Sequence, residues 1–165
     1  GANIEGRGEA TLADCLRATL RQNPDRVIVG EIRGTEVVDM LRAMSQGNDG
    51  SMSSIHADSS QGALVRLSMY TAEAGLDEQT SNKWIANSVH LIIHLGWTDG
   101  VRRVTSVREV TGSEDRQVSS NEVYRPGPDG RAVPAPGPAI RKDTLDRLVA
   151  VGFDETLLHN PQGWW

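Results

Sequence analysis

Two stretches indicate the fold of this chain: D-R-V-I-V-G-E-I-R-G at residues 25–34 and G-N-D-G-S-M-S-S-I-H-A-D-S at residues 47–59. Three consecutive β-branched residues in the first stretch are typical of a strand buried on both faces, and Glu31 follows them after one glycine. In the second stretch a short strand at 51–55 leads to His56. Because parallel α/β sheets place ligands at the carboxyl ends of their strands, we predict that Glu31 and His56 belong to one site.

Helical patterns surround these two stretches. An apolar stripe that includes Cys15 predicts a helix over 11–23, with Thr11 and Asp14 forming a capping box at its start. Further helices are predicted over 35–46, from Ser59 or Ser60 to Gly75, and over 78–87. We expect Cys15, on the apolar stripe, to be a small buried hydrophobic residue.

The second half of the chain predicts an antiparallel hairpin and then a looser tail. Residues 89–96 alternate in polarity, Asp99-Gly100 is a strong two-residue turn signal, and residues 101–110 return as the partner strand. His90 and His94 lie on one face of the first of these strands, too far apart to share a metal ion easily. A brief strand is predicted over 122–125, and five prolines and three glycines between 126 and 138 are typical of a linker or extended arm. A short helix is predicted over 140–151.

The composition fits one ordinary α/β domain with an antiparallel edge. The chain has 165 residues, of which 38% are hydrophobic and 24% charged, and its net charge of −5 does not favour nucleic acid as a partner. Its apolar runs are too short to span a membrane, one cysteine cannot form an internal disulfide, and the absence of a signal peptide favours a cytoplasmic location. Because the sequence begins at Gly1 without a methionine, we expect it to be part of a longer protein.

Each candidate residue has a functional and a structural interpretation. Glu31 suits activation of a water or retention of a hydrated Mg²⁺ beside a phosphate, or it is an acid satisfied by the next helix dipole. Arg33 neutralises a phosphate or pairs with Glu31 or Glu36. His56 donates to a γ-phosphate or a transition-state oxygen, or is simply structural.

The two quoted motifs resemble those of one protein family. D-R-V-I-V-G-E-I-R-G-T-E resembles the Walker B segment of the secretion-superfamily traffic ATPases, which power type II and type IV secretion and type IV pilus assembly, and residues 47–59 resemble their His box. Two further stretches bring the chain closest to the CpaF-like ATPases of tight-adherence pili. They are E-V-V-D-M-L-R-A-M-S-Q-G between the motifs and N-I-E-G-R-G-E-A-T-L-A-D-C-L-R-A-T-L-R-Q-N-P upstream. The resemblance covers about residues 3–110.

The resemblance implies that residues 1–111 are the C-terminal part of a RecA-like P-loop ATPase core, followed by a Pro/Gly-rich linker or arm at 112–139 and a short helical tail at 140–165. It implies homo-hexamers that bind ATP and Mg²⁺ and associate with an inner-membrane platform protein at the cytoplasmic face of that membrane. By position, Glu31 is the Walker B acid. It helps to hold the attacking water, and it helps to hold Mg²⁺ through a water molecule. His56 contacts the γ-phosphate region, and Arg33 follows the Walker B acid without an assigned role.

The chain departs from the family pattern in two respects. Asn48 stands where the family usually has a histidine, and an asparagine cannot take up a proton. The phosphate-binding G-x-x-x-x-G-K-[ST] motif and the acidic box that precedes Walker B do not occur in the 165 residues. We therefore expect half of a motor domain that does not bind ATP well alone. The alternative is a truncated, non-catalytic structural or regulatory subunit of such a ring, and a third possibility is an unrelated α/β module.

Overall fold

The computed structural model of the chain describes residues 8–114, 117–137 and 139–159. Helices and strands alternate first, and an antiparallel meander follows. In chain order the elements are α1 (Leu12–Leu20), β1 (Ile28–Val29), α2 (Val37–Met44), β2 (Met52–Ser53), α3 (Ser60–Glu73), α4 (Glu78–Ser88), β3 (Leu91–Thr98), β4 (Val101–Glu114), β5 (Gln117–Pro126), β6 (Ala132–Pro134), α5 (Lys142–Ala150) and a 3-10 helix, Glu155–His159.

The strands form two sheets. β1 pairs with β2 in parallel, with Ile28 opposite Met52, whereas β3 to β6 form an antiparallel sheet in sequence order. Asp99 and Gly100 join β3 to β4 with φ angles of 51° and 73°, the left-handed conformation that a two-residue hairpin turn requires. The predicted mixed α/β class is confirmed, and so is the predicted hairpin.

One hydrophobic core connects the first four helices with both sheets. Side chains of α2 supply much of it, and Leu41 and Val37 are fully buried there. Ile85 of α4 and Val110 of β4 join the antiparallel sheet to the same core. The two sheets therefore belong to one packing unit, in which the strand ends after β1 and β2 are held on a rigid support.

Two of the sequence-based predictions on burial are wrong. Ile28 is 69% exposed, because alternate residues of a strand point to opposite faces and only Val27 and Val29 face the core. Cys15 is exposed as well, because α1 turns a narrow face inward and Leu16 is its one buried residue. The predicted capping box is confirmed, since the Asp14 amide donates to Thr11 Oγ1 at 3.1 Å and the Thr11 amide returns a bond to Asp14.

The structure differs from the predicted linker or arm at 112–139. β4 continues to Glu114, β5 pairs along it, and β6 adds a short strand to β5. The prolines are compatible with this sheet because Pro134 lies on the edge strand β6 and Pro126 lies beyond Tyr124, where the pairing of β5 with β4 ends. The division of the chain into an ATPase part, a linker and a tail stays a prediction, and residues 160–165 of that tail lie outside the described residues.

Polar contacts attach α5 to the sheet. Glu109 of β4 is fully buried and accepts hydrogen bonds from the Arg141 amide at 2.9 Å, from Arg141 Nε at 3.2 Å and from Thr144 Oγ1 at 2.6 Å. The helix itself has no buried residue. This carboxylate therefore provides a polar attachment of α5 to the sheet. Among the described residues, no helix has both the length and the apolar character needed to cross a membrane.

Candidate functional site

Glu31 and His56 follow the carboxyl ends of two adjacent parallel strands. Backbone bonds extend the β1–β2 pairing on both sides, since the Met52 amide donates to the Val27 carbonyl at 3.0 Å and the Ile32 amide to the Ser54 carbonyl at 2.9 Å. Because the strands run in the same direction, the residues that leave their carboxyl ends emerge at one edge. The fold therefore brings the carboxylate and the imidazole side by side.

The three predicted site residues contact one another directly. His56 Nε2 lies 2.9 Å from Glu31 Oε1, within ion-pair distance, and Arg33 Nε donates to Glu31 Oε2 at 2.6 Å, with a second Arg33 nitrogen on the same oxygen. Glu31 is 23% exposed, whereas His56 and Arg33 are 90% and 79% exposed. A half-buried anion thus lies beneath two donors that face the solvent, where an incoming ligand can reach them.

The electrostatics of the cluster favour the ionised form of Glu31. The hydrogen bond from Arg33 lowers the pKa of Glu31 below its usual value of 4.5, and the nearby guanidinium and imidazole act in the same direction. Reciprocally, Glu31 raises the pKa of Arg33. Glu31 is therefore a carboxylate at neutral pH, able to accept hydrogen bonds from a water or a hydrated cation but with no proton of its own to donate.

Short polar contacts fix the backbone around Glu31. Ser54, the residue after β2, donates from its Oγ to the Gly30 carbonyl, and the Arg33 amide donates to Glu36 Oε1 at 2.7 Å. Glu36 thus accepts a hydrogen bond from the backbone amide of Arg33 and not from its side chain. Sequence reasoning missed the role of Ser54, because Ser51, Ser53 and Ser54 stand in one serine-rich run and no pattern distinguishes them.

The turn before β2 is held by its own side chains. Asn48 Nδ2 donates to the Ala43 carbonyl at 3.0 Å and so satisfies one of the free carbonyls at the end of α2. Ser51 Oγ donates to the Asn48 carbonyl at 2.7 Å and accepts from the Val27 amide at 2.9 Å. Asn48 therefore ends a helix and helps to align β2 with β1, a structural task that needs no proton transfer.

His90 and His94 lie apart from the Glu31 cluster. His90 is exposed, while His94 bonds to Thr105 Oγ1 through Nδ1 at 2.7 Å and to the Ala57 carbonyl through Nε2 at 3.2 Å. Within residues 8–114, 117–137 and 139–159, no three His, Cys, Asp or Glu side chains are grouped closely enough to hold a metal ion. The contact of His94 with the residue after His56 was not expected from the sequence.

The residues present fit part of a site for a nucleotide and Mg²⁺. Protein sites for Mg²⁺ commonly use one or two carboxylates together with waters and substrate phosphates, so a single carboxylate such as Glu31 is a suitable donor through water. Phosphate binding by a glycine-rich loop requires a run of backbone amides and a lysine that the 165 residues do not contain as a motif. The cluster therefore supplies an acid and two exposed donors but no complete phosphate cradle.

Comparison with known proteins places these motifs in a family. The sequence profile of the family described as type II/IV secretion system protein matches residues 2–132. A putative conjugal transfer protein of Mycobacterium tuberculosis is 35% identical over 116 residues, which are 70% of this chain and 33% of the relative. The conjugal transfer protein TrbB of Rhizobium radiobacter is 36% identical over 101 residues, which are 61% of this chain and 31% of the relative.

A solved structure supports the fold. The crystal structure of the VirB11 ATPase from the Brucella suis type IV secretion system, in complex with sulphate, matches with a TM-score of 0.53 and 28% sequence identity, over 59% of this chain and 31% of that one. The chain thus spans about a third of the length of the relatives it matches. The prediction that it forms part of a RecA-like ATPase core is confirmed by this match.

Proposed function

Because this chain belongs to the type II/IV secretion system protein family, we propose that it forms part of an ATPase motor that couples ATP hydrolysis to type II/IV secretion or pilus assembly. Similarity to conjugal transfer and type IV secretion proteins supports an ATPase of this kind. The tight-adherence, CpaF-like subgroup is the variety that the sequence motifs favour. In this proposal the 165 residues contribute the Walker B and His-box half of the nucleotide site.

The observation that carries the proposal is the contact of His56 and Arg33 with one carboxylate at the end of two parallel strands. Glu31, kept ionised by Arg33, orients the attacking water and holds Mg²⁺ through water. His56 binds the γ-phosphate region. Both donors are largely exposed and now engage Glu31, so a bound phosphate would compete with that carboxylate for charge-assisted hydrogen bonds.

The assembly expected for the family extends the proposal beyond this chain. We propose a homo-hexamer that binds ATP and Mg²⁺ and works at the cytoplasmic face of the inner or plasma membrane, where it associates peripherally through a platform protein. The net charge of −5 does not favour nucleic acid as a partner. Since the phosphate-binding motif is not in these residues, the chain alone is expected to turn over little or no ATP.

The alternative function is that of a non-catalytic structural or regulatory subunit of such a ring. The asparagine at 48, which cannot take up a proton, is compatible with it. It predicts that Glu31 and His56 serve only to hold the two strands together. The two functions therefore differ in whether a longer chain with this segment hydrolyses ATP.

ATP binding and turnover by the 165-residue chain, compared with a chain extended upstream to include a P-loop, test the proposal. We expect turnover by the extended chain alone. An inert extended chain, or an upstream sequence without a P-loop, would support the structural subunit instead. Turnover by the 165 residues alone would show that ATP hydrolysis does not require the upstream phosphate-binding motif.

A further inference from the structure

His94 connects the antiparallel sheet with the segment that carries His56. It stands opposite Ser106 in the β3–β4 pairing, and Ser106 Oγ lies 2.7 Å from Ser60 Oγ at the start of α3. Cross-strand partners share a face of the sheet, so His94 lies on the face that packs against the segment leading into α3. There its Nε2 reaches the Ala57 carbonyl at 3.2 Å.

The bond to Ala57 is compatible with both protonation states of the imidazole. A carbonyl oxygen only accepts, so His94 Nε2 carries a hydrogen. In the neutral ring, Nδ1 accepts from the Thr105 hydroxyl at 2.7 Å. In the charged ring, Nδ1 donates to Thr105 Oγ1, and the hydroxyl hydrogen turns to the His94 carbonyl at 3.3 Å. Nε2 therefore donates to Ala57 in either case.

This bond supplies the middle of three anchors along the segment 54–60. Ser54 is bonded to the residues after β1, through its carbonyl to the Ile32 amide and through its hydroxyl to the Gly30 carbonyl, and Ser60 is bonded to Ser106 at the other end. His56 lies between the first two anchors. Because its side chain is 90% exposed, packing does little to fix it, and the anchored backbone on either side determines where the imidazole stands.

We infer that His94 is a positioning residue of the site, which holds the Ala57 carbonyl and thereby sets the imidazole of His56 against Glu31. Its catalytic consequence rests on the proposed function, whereas the effect on the backbone does not. His94 lies on β3, far from His56 in the sequence, and it acts on His56 through the main-chain carbonyl of Ala57.

Two substitutions separate the two bonds of the ring. In His94→Gln the amide nitrogen occupies the place of Nε2 and can still donate to Ala57, whereas in His94→Asn the amide reaches only the place of Nδ1 and keeps the Thr105 contact. Backbone order parameters from ¹⁵N relaxation of the 165-residue protein give the readout at His56 and Ala57. We expect values of about 0.85 in the wild type and the glutamine variant, and values falling toward about 0.6 in the asparagine variant.

Thr105→Val tests the same inference from the other side, and does not depend on the folding of the asparagine variant. It removes the hydroxyl but leaves the bond from Nε2 to Ala57, so the order parameters at His56 and Ala57 should stay at the wild-type values. Equal order parameters in the asparagine and glutamine variants, or a loss of order in Thr105→Val, would overturn the inference.

ATP turnover by a chain extended upstream to include a P-loop tests the catalytic consequence. His94→Asn should lower kcat by roughly fivefold relative to His94→Gln, about the effect of one net hydrogen bond, with KM for ATP unchanged. Equal kcat values would contradict a positioning role in catalysis. If the extended wild type hydrolyses no ATP, the proposed function fails, and the order parameters still decide whether His94 holds the segment.

Discussion

Replacing Arg141 with methionine tests whether the polar attachment of α5 is part of the stability of the domain. The Arg141 side chain donates to the buried Glu109 at 3.2 Å and to the carbonyls of Thr111 and Val110 at 3.2 Å each. Methionine keeps the aliphatic stem but removes all three bonds. Glu109 would then retain the Arg141 amide and the Thr144 hydroxyl, but no cation.

The magnitude follows from these contacts. All three bonds are donated by the charged guanidinium, and a hydrogen bond that involves a charged group contributes about 1.5–3 kcal/mol, so the three bonds together give an upper range of about 4.5–9 kcal/mol. Arg141 is 40% exposed, so water replaces part of what is lost. We expect the free energy of unfolding to fall by about 3 kcal/mol, below that upper range and at the low end of the cost of removing one partner of a buried ion pair.

Arg147→Met is the matched control on the same helix. It removes the same charge, so that either variant has a net charge of −6, one below the −5 of the wild type. Arg147 pairs with Asp49 at 2.9 Å, but the two side chains are 59% and 69% exposed, and such pairs contribute about 0–1 kcal/mol. Urea unfolding at pH 7, followed by far-UV circular dichroism, measures both variants. A loss in Arg141→Met no larger than that in Arg147→Met would show that the bonds of Arg141 to Glu109 and the two carbonyls do not stabilise the domain.

Three further predictions concern the site and the core. In Arg33→Gln, the pKa of Glu31 should rise toward 4.5 in a carboxyl ¹³C titration, and an unchanged titration would contradict this. Because the folded-state pKa of Glu31 is lowered in the wild type, the stabilisation by Arg33 is present above pH 4.5 and disappears as the pH falls through the lowered pKa. Leu41→Ala should reduce the free energy of unfolding by about 3 kcal/mol in urea, because a fully buried side chain leaves a cavity, and a loss below about 1 kcal/mol would argue against this core. Ser59→Ala should reduce it by about 1 kcal/mol through loss of the N-cap bond to the Gly62 amide, with no effect expected if the cap does not form.

The features that the sequence predicted well depend on neighbours in the chain. The capping box joins Thr11 to Asp14, three residues away, and the hairpin turn needs only Asp99 and Gly100. The juxtaposition of the two motifs depends on a single further fact, that β1 and β2 are adjacent and parallel. Local patterns and one rule of sheet topology were sufficient there.

The features that the sequence did not predict depend on which face of a strand packs against the rest of the domain. Alternation along β3 defines two faces but not the one that packs, and Ile93, Leu95 and Trp97 are exposed while His94 lies toward α3. The contact of His94 with the Ala57 carbonyl lies on the packed face, and polar contacts of this kind have no periodic signature. The bond of Glu109 to Arg141 spans 32 residues and was likewise beyond local reasoning.

The role of Glu31 is tested most directly by ATP binding and turnover in an extended, P-loop-containing chain carrying Glu31→Gln, with Glu73→Gln as the control for an equal change at an exposed position of α3. We expect the Glu31 variant to bind ATP but to lose turnover by roughly a hundredfold or more, and the control to turn over at the wild-type rate. Turnover by Glu31→Gln close to that of the control would contradict the assignment of this carboxylate as the acid of the nucleotide site.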